Sequence, residues 1–159
     1  MKTTKCFQST GKMTTAFIVL LSCTLLFSCK KSNTAATPSN VHFSGAFSGA
    51  TEVPPVSSSA TGSVTATYDP SAKTLQYTFT WNNLSGVPVA MHFHDGATGT
   101  NGAVVIPISG FPSQASGSVS GTSNPLNDTL INDLMAGKLY GNIHTQNHPG
   151  GEIRAQITK

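Results

Sequence analysis

Leu75-Gln76-Tyr77-Thr78-Phe79-Thr80-Trp81 is the stretch of this 159-residue sequence that decides the fold. Large apolar residues alternate with polar ones along it, which is the period-two pattern of a β-strand with one buried face. The aromatic side chains therefore point to one side of the strand, and the polar side chains point to the other. A stripe of this kind needs neighbouring strands to complete a core.

The residues just before this stretch supply a partner strand. Val64, Ala66 and Tyr68 alternate with small polar residues and are followed by the turn sequence Asp69-Pro70-Ser71-Ala72. We therefore predict a β-hairpin over residues 62–81. Further strand-like runs lie at residues 41–49, 87–94, 103–108, 115–121, 138–144 and 152–158. About eight short strands separated by turn signals predict a single all-β domain, an antiparallel sandwich or barrel.

One short helix is predicted, over residues 125–136. Asn124 can cap its first turn, Pro125 suits the first helical position, and Gly137 can end it. We expect this helix to cover one end of the sandwich. Four apolar residues share one stripe at helical spacing: Leu126, Leu130, Ile131 and Leu134.

The first 29 residues have the organisation of an export signal, with a basic start and an apolar stretch over residues 16–27. That stretch is shorter than the roughly 20 residues that a membrane-spanning helix needs. Leu26-Phe27-Ser28-Cys29 resembles the lipobox of bacterial lipoproteins, in which the cysteine is lipidated and becomes the first mature residue. Cys29 is the predicted lipidation site and Cys23 the fallback; the alternative is a plain secretory signal. Residues 30–40 predict a flexible linker to a domain at residues 41–158.

Charge and cysteine content narrow the function classes. From Cys29 onward six basic residues balance six acidic ones, so no basic stripe for nucleic acid is expected. All three cysteines lie within residues 1–29, so the predicted domain has neither a disulfide nor a thiolate metal ligand. No serine lies in a nucleophile elbow, and no phosphate-binding loop is present. Hydrolase and nucleotide chemistry therefore have no support.

Three histidines form the main candidate site. In Val89-Ala90-Met91-His92-Phe93-His94 the histidines alternate with apolar residues, so both project from the polar side of a strand. Along residues 138–144 the same alternation sends His144 to the polar side. If the two strands are neighbours, three imidazoles converge, and neutral imidazoles bind zinc or copper. The alternative is that these histidines only hydrogen bond loops to the sheet.

Two charged residues of the C-terminal run could belong to the same site. Pro149-Gly150-Gly151 is a turn that leads into the last strand, where Glu152 and Arg154 point outward. A hairpin with the preceding strand would bring them near His144, where they could ligate, support the ligands or guide an anion. The alternative is a cross-strand ion pair of about 0.2 to 1 kcal/mol. Asp95 is either a fourth ligand or a turn residue.

Several segments together resemble the CHRD domain, named for its occurrence in chordin. The resemblance covers residues 41–158 and implies an antiparallel β-sandwich of immunoglobulin-like, Greek-key type on an exported bacterial protein. The segments that carry it are Phe43-Ser44-Gly45-Ala46, Ser48-Gly49-Ala50-Thr51-Glu52-Val53-Pro54-Pro55, Met91-His92-Phe93-His94, Gly137-Lys138-Leu139-Tyr140, Asn142-Ile143-His144-Thr145 and Pro149-Gly150-Gly151-Glu152-Ile153-Arg154.

A comparison of this family with copper-zinc superoxide dismutase implies a role for the histidines. It would make His92, His94 and His144 copper ligands, although the chain lacks a bridging histidine between His94 and His144 and lacks the disulfide cysteines. We expect a non-enzymatic, lipid-anchored binding or structural domain of the cell envelope, with a protein or small-molecule partner. The alternative is a copper or zinc protein with dismutase-like redox chemistry.

Overall fold

The computed structural model describes residues 38–159, which form antiparallel β-structure with one short α-helix. The predicted signal peptide at residues 1–29, its lipidation site Cys29 and most of the predicted linker at residues 30–40 lie outside the described residues. Within residues 38–159, no helix has the length and apolar character that crossing a bilayer requires.

Eight strands form the described sheet, and each predicted strand is present with its ends shifted by at most two residues. Every pairing is antiparallel, and the spatial order is β5-β4-β7-β8-β1-β2-β3-β6. The strands are β1 (Val41–Ser48), β2 (Thr61–Asp69), β3 (Thr74–Asn82), β4 (Pro88–Asp95), β5 (Ala103–Ile108), β6 (Gly117–Thr122), β7 (Leu139–Thr145) and β8 (Ile153–Gln156).

The sheet folds into two layers at the short pairing of β8 with β1. Phe93 of β4 packs edge-on against Phe79 of β3, with ring centroids 5.0 Å apart, although these strands are far apart in the sheet order. Strands β5-β4-β7-β8 therefore lie over strands β1-β2-β3-β6. This arrangement confirms the predicted all-β, antiparallel, sandwich-like fold.

The predicted aromatic stripe of β3 is the centre of the core. Leu75 and Phe79 are fully buried, and Tyr77 and Trp81 are nearly so. Phe79 also contacts Phe47 of β1 at 5.0 Å between ring centroids. The hairpin of β2 and β3 pairs along its whole length, from Thr61–Asn82 to Asp69–Thr74, as the alternation predicts.

Gly141 lets β7 approach this core closely. A Cβ atom at this position would lie 2.5 Å from Cζ of Phe79, which is nearer than side-chain atoms can come. Any other residue at 141 would therefore push β7 away from Phe79. Gly141 therefore allows β7 to lie close to the core while its outer face lies beside β4.

The helix α1 is shorter than predicted and spans Asp128–Met135. The predicted start was wrong by one turn, because Asn127 and not Asn124 caps the helix through its side chain. Leu126 is buried before the helix begins, and its N–H donates to the β2–β3 turn. Gly137 follows the helix with a φ of 69°, as the predicted end requires.

We predict that Phe79→Ala lowers the free energy of unfolding by about 3 to 5 kcal/mol, because it empties the centre of a close-packed core. Thr78→Ala removes a side chain from the opposite face of the same strand and is the matched control. We expect it to lower stability by less than about 1.5 kcal/mol, the usual contribution of one hydrogen bond. Urea denaturation measures both. Equal shifts of the two midpoints would contradict this assignment of the buried face.

Candidate metal site

The pairing of β4 with β7 brings the three predicted histidines together. His92 lies opposite Asn142 in the register of the two strands. The candidate ligand atoms of His92, His94 and His144 all lie within 4.8 Å of one another. The cluster is on the outer face of the layer, because the alternating residues of both strands point into the core: Met91, Phe93 and Ile143, each fully buried.

Backbone carbonyls determine which ring nitrogen carries the proton in two of these histidines. Nδ1 of His94 lies 3.0 Å from the carbonyl oxygen of Gly102, and Nδ1 of His144 lies 3.0 Å from that of Pro149. A carbonyl oxygen can only accept, so Nδ1 donates in both rings. In a neutral imidazole, Nε2 then carries the lone pair that a metal could bind.

Asn142 lies between these two Nε2 atoms, and sequence reasoning did not assign it a role. Its terminal amide is 3.0 Å from Nε2 of His94 and 3.0 Å from Nε2 of His144, and the residue is buried. An amide oxygen there would require both rings to be protonated, and neighbouring imidazolium charges repel. We therefore assign the amide NH₂ to this position, where it donates to both lone pairs. Its place on the polar face of β7, two residues before His144, was the available sequence signal.

His92 completes the cluster at its more exposed edge. Its Nδ1 lies 3.3 Å from Nε2 of His144. Burial lowers the pKa of His92 below its usual 6.5, and the adjacent His144 and His94 lower it further. Burial also lowers the pKa of His144, an effect that its hydrogen bond to Pro149 partly offsets. Both rings therefore stay neutral to a lower pH than an ordinary histidine does. The neutral ring is the form that ligates metals.

Tyr140 lies between the histidine cluster and Arg154. The rings of His94 and Tyr140 stack with an interplanar angle of 4° and a centroid distance of 4.9 Å. Cζ of Arg154 lies 3.4 Å from the centroid of the tyrosine ring. His94 comes from β4 and Arg154 from β8, the strands on either side of β7, so the tyrosine ring connects the two residues. Such stacked aromatic and cation–π contacts restrain the orientation of His94.

Arg154 supports this stack and is closed off from solvent. Its side chain is 1% exposed. NH2 of the guanidinium donates to the carbonyl oxygen of Ala97 at 3.2 Å and to Oε1 of Gln156 at 3.3 Å. These bonds tie the β4–β5 loop to β8. A residue that guides solvent anions needs an accessible charge, and the guanidinium of Arg154 is directed to protein acceptors instead.

Glu152 is fully buried and holds loops against the end of β7. Its carboxylate accepts hydrogen bonds from Oγ of Ser58 at 2.8 Å, from N and Oγ of Ser85 at 2.8 and 2.7 Å, and from Oγ1 of Thr145 at 2.7 Å. Burial alone would raise the pKa of Glu152, but these hydrogen bonds outweigh it and hold the pKa below 4.5. Glu152 therefore reaches the histidines only through Thr145, the neighbour of His144.

The remaining candidates lie outside the cluster. No ion pair within the described residues includes Glu152 or Arg154. Asp95 ends β4, and the cluster of possible ligand residues does not contain it, which favours its interpretation as a turn residue. His42 is exposed and contacts Thr67, with Nδ1 and Oγ1 3.0 Å apart. His148 lies in the turn before β8.

Comparison with known proteins gives one positive finding. The family model described as "CHRD domain" matches residues 43–157, a span that includes the three histidines, Asn142, Glu152 and Arg154. No curated protein and no solved structure matches the chain significantly.

We predict that Glu152→Gln lowers the free energy of unfolding by about 2 to 3 kcal/mol at neutral pH, because an amide NH₂ cannot accept the hydrogen bonds that the carboxylate accepts. The folded-state pKa of Glu152 is lowered, so its stabilising effect is present above the unfolded value of 4.5. The effect is lost as the pH falls through the folded-state pKa. Urea denaturation at about pH 7 and about pH 3 should therefore show a gap between variant and wild type that narrows in acid.

Asp128→Asn is the matched control, since Asp128 is an exposed carboxylate at the start of α1. Its denaturation midpoint should stay close to that of the wild type. A Glu152→Gln protein as stable as Asp128→Asn at neutral pH would show that the buried carboxylate does not hold the loops.

Proposed function

The chain belongs to the CHRD-domain family, and on that premise we propose that it is a non-enzymatic binding module that holds a copper or zinc ion through His92, His94 and His144. The observation that carries this proposal is the convergence of three imidazoles on one sheet face, with ligand atoms within 4.8 Å of one another. Imidazole is the commonest metal ligand in proteins, and nitrogen donors suit zinc and copper.

The contacts around the rings suit a metal ligand set. Nδ1 of His94 and Nδ1 of His144 donate to backbone carbonyls, which is how proteins orient ligating histidines through the nitrogen that does not bind the ion. The ion would take the place of the Asn142 amide, which donates to both Nε2 atoms in this structure. Two donors bound at about 2.0 Å to a tetrahedral ion lie roughly 3.3 Å apart. Nδ1 of His92 and Nε2 of His144 already have this separation of 3.3 Å. The other separations, up to 4.8 Å, must shorten.

Binding without catalysis is the function that these surroundings favour. Copper would supply one-electron redox chemistry, and a dismutase-like activity is the second candidate because His92 and His144 are only half-buried and accessible to a small oxidant. Arg154, the residue that would guide an anion to such a centre, is 1% exposed. We therefore assign the histidine cluster to metal binding and not to turnover.

We further propose that the module is exported and anchored in the cell envelope through a lipid on Cys29. The lipobox-like segment at residues 26–29 supports this placement. The described strands begin at Val41, so a short polar stretch separates the proposed anchor from the folded domain. Lipidation with more than one acyl chain gives stable attachment to a membrane.

We predict saturable binding of zinc and copper to the purified protein in isothermal titration calorimetry. Alanine at His92, His94 or His144 should each weaken the affinity at least about tenfold, because each change removes one donor. The affinity should fall as the pH drops, since ligation requires neutral rings. Because the pKa values of His92 and His144 are lowered, this loss should occur below pH 6.5.

His42→Ala is the control, since His42 is exposed and lies outside the cluster. Its metal affinity should equal that of the wild type. If zinc and copper show only weak, nonspecific binding and His92→Ala changes stability alone, the histidines only hydrogen bond the loops to the sheet and the metal proposal fails.

We predict that Cys29→Ala abolishes lipid anchoring, because the acyl chains are attached to this sulfur. Cells that express the full chain would be fractionated, and the mature N-terminus would be analysed by mass spectrometry. Cys23→Ala should keep the modification, which makes it the matched control. An unmodified, water-soluble mature protein that begins beyond residue 29 would refute this anchor.

A further inference from the structure

Glu52 has the one buried side-chain atom in the described part of the chain that lacks a hydrogen-bond partner. The residue is 5% exposed, and its Oε1 is buried with no donor within reach. Nearly all buried polar atoms in proteins are hydrogen bonded, so each exception needs an explanation. Glu52 belongs to the Glu52-Val53-Pro54-Pro55 segment, which has no role in the proposed metal site.

The buried charges around Glu52 do not balance. Glu52, Glu152 and Arg154 are the buried residues with a carboxyl, ammonium or guanidinium group in residues 38–159. Glu152 is satisfied by serine and threonine donors, and Arg154 donates to loop acceptors. No ion pair in this part of the chain includes Glu52. With both carboxyl groups ionised, two carboxylates and one guanidinium leave one negative charge, which a bound cation would neutralise.

A cavity of about 250 Å³ lies beside Glu52. Val53, Pro54 and Val56 give it an apolar lining, and residues 147–151 complete that lining. Gly151, with a φ of 124°, packs directly against the carboxyl group, since a Cβ atom there would lie 2.5 Å from Oε1. Only glycine leaves room for the carboxyl group at this point, and Gly150 beside it borders open space.

The electrostatic surroundings of Glu52 are consistent with an absent counter-ion. Burial raises the pKa of Glu52 to about 7, although the charge of Arg154 and a backbone hydrogen bond from Val53 act in the opposite direction. The other titratable group on the cavity wall is His148. A cation placed beside the carboxylate would stabilise its ionised form.

We propose that this cavity binds a primary ammonium group carried on a small apolar body, with the carboxylate of Glu52 as its acceptor. An ammonium group supplies the N–H donors that Oε1 lacks and the positive charge that the buried groups lack. The valine and proline wall suits an alkyl chain. A calcium ion would need six to eight oxygen ligands, and the cavity wall offers one carboxylate.

The test is an NMR titration of the purified protein with n-butylammonium chloride at about pH 8, where Glu52 is mostly ionised. A chelator keeps the histidine cluster free of metal. We expect saturable shifts of the Val53, Gly150 and Gly151 amides, and at least about tenfold weaker binding of n-butanol, which has the same chain length but no charge. Glu52→Gln should remove the preference for the ammonium ligand, and Asp128→Asn, an exposed acid-to-amide change, should retain it.

Three outcomes would overturn the proposal. Equal affinity for n-butanol would mean an apolar cavity only. Saturable shifts with calcium chloride, added in excess over the chelator in place of the amine, would mean an inorganic cation site. No saturable shift would mean no site. If Glu52→Gln does not fold, the comparison of amine with alcohol on the wild type decides alone. His92→Ala should bind n-butylammonium normally, so failure of the metal site leaves this test intact.

Discussion

The antiparallel pairing of β4 with β7 is the constraint on which the rest of the structure depends. On the inner side it places Phe93 against Phe79 of the opposite layer, with ring centroids 5.0 Å apart. Gly141 allows this close approach, since a Cβ atom there would meet the Phe79 ring. On the outer side the same register places His92 beside Asn142. Core packing and the geometry of the candidate site are therefore set by one contact between two strands.

Around Arg154 and Glu152, this layer has a second, polar interior and not an ordinary solvated surface. Loop residues surround these two side chains, which are as buried as the core residues. Buried charges are tolerated when their hydrogen bonds are complete, and here serine, threonine and carbonyl groups complete them. Tyr140 links this polar layer to the histidines by stacking. Against this background the unpartnered Oε1 of Glu52 stands out.

Much of the fold could be predicted because β-strands reveal their faces locally. The alternation in residues 75–81 correctly marks which side chains of β3 are buried, and the alternation around His92 correctly places the histidines opposite the core. The start of α1 was predicted wrongly, since Asn124 and Asn127 are both suitable caps. The backbone N–H of Leu126 bonds the β2–β3 turn, which is distant in sequence. This contact favours the later of the two asparagines, Asn127, as the cap.

By itself the sequence determined the number of strands, the inward and outward side of each strand, and the three histidines that can converge. These properties follow from a two-residue period, which is a local consequence of backbone geometry. Only the tertiary structure decided that Asn142 lies between two imidazoles, that Arg154 stacks on Tyr140, and that Glu152 is buried among loop residues. These contacts join segments far apart in the chain, and an alternation pattern records which way a side chain points but not what covers it.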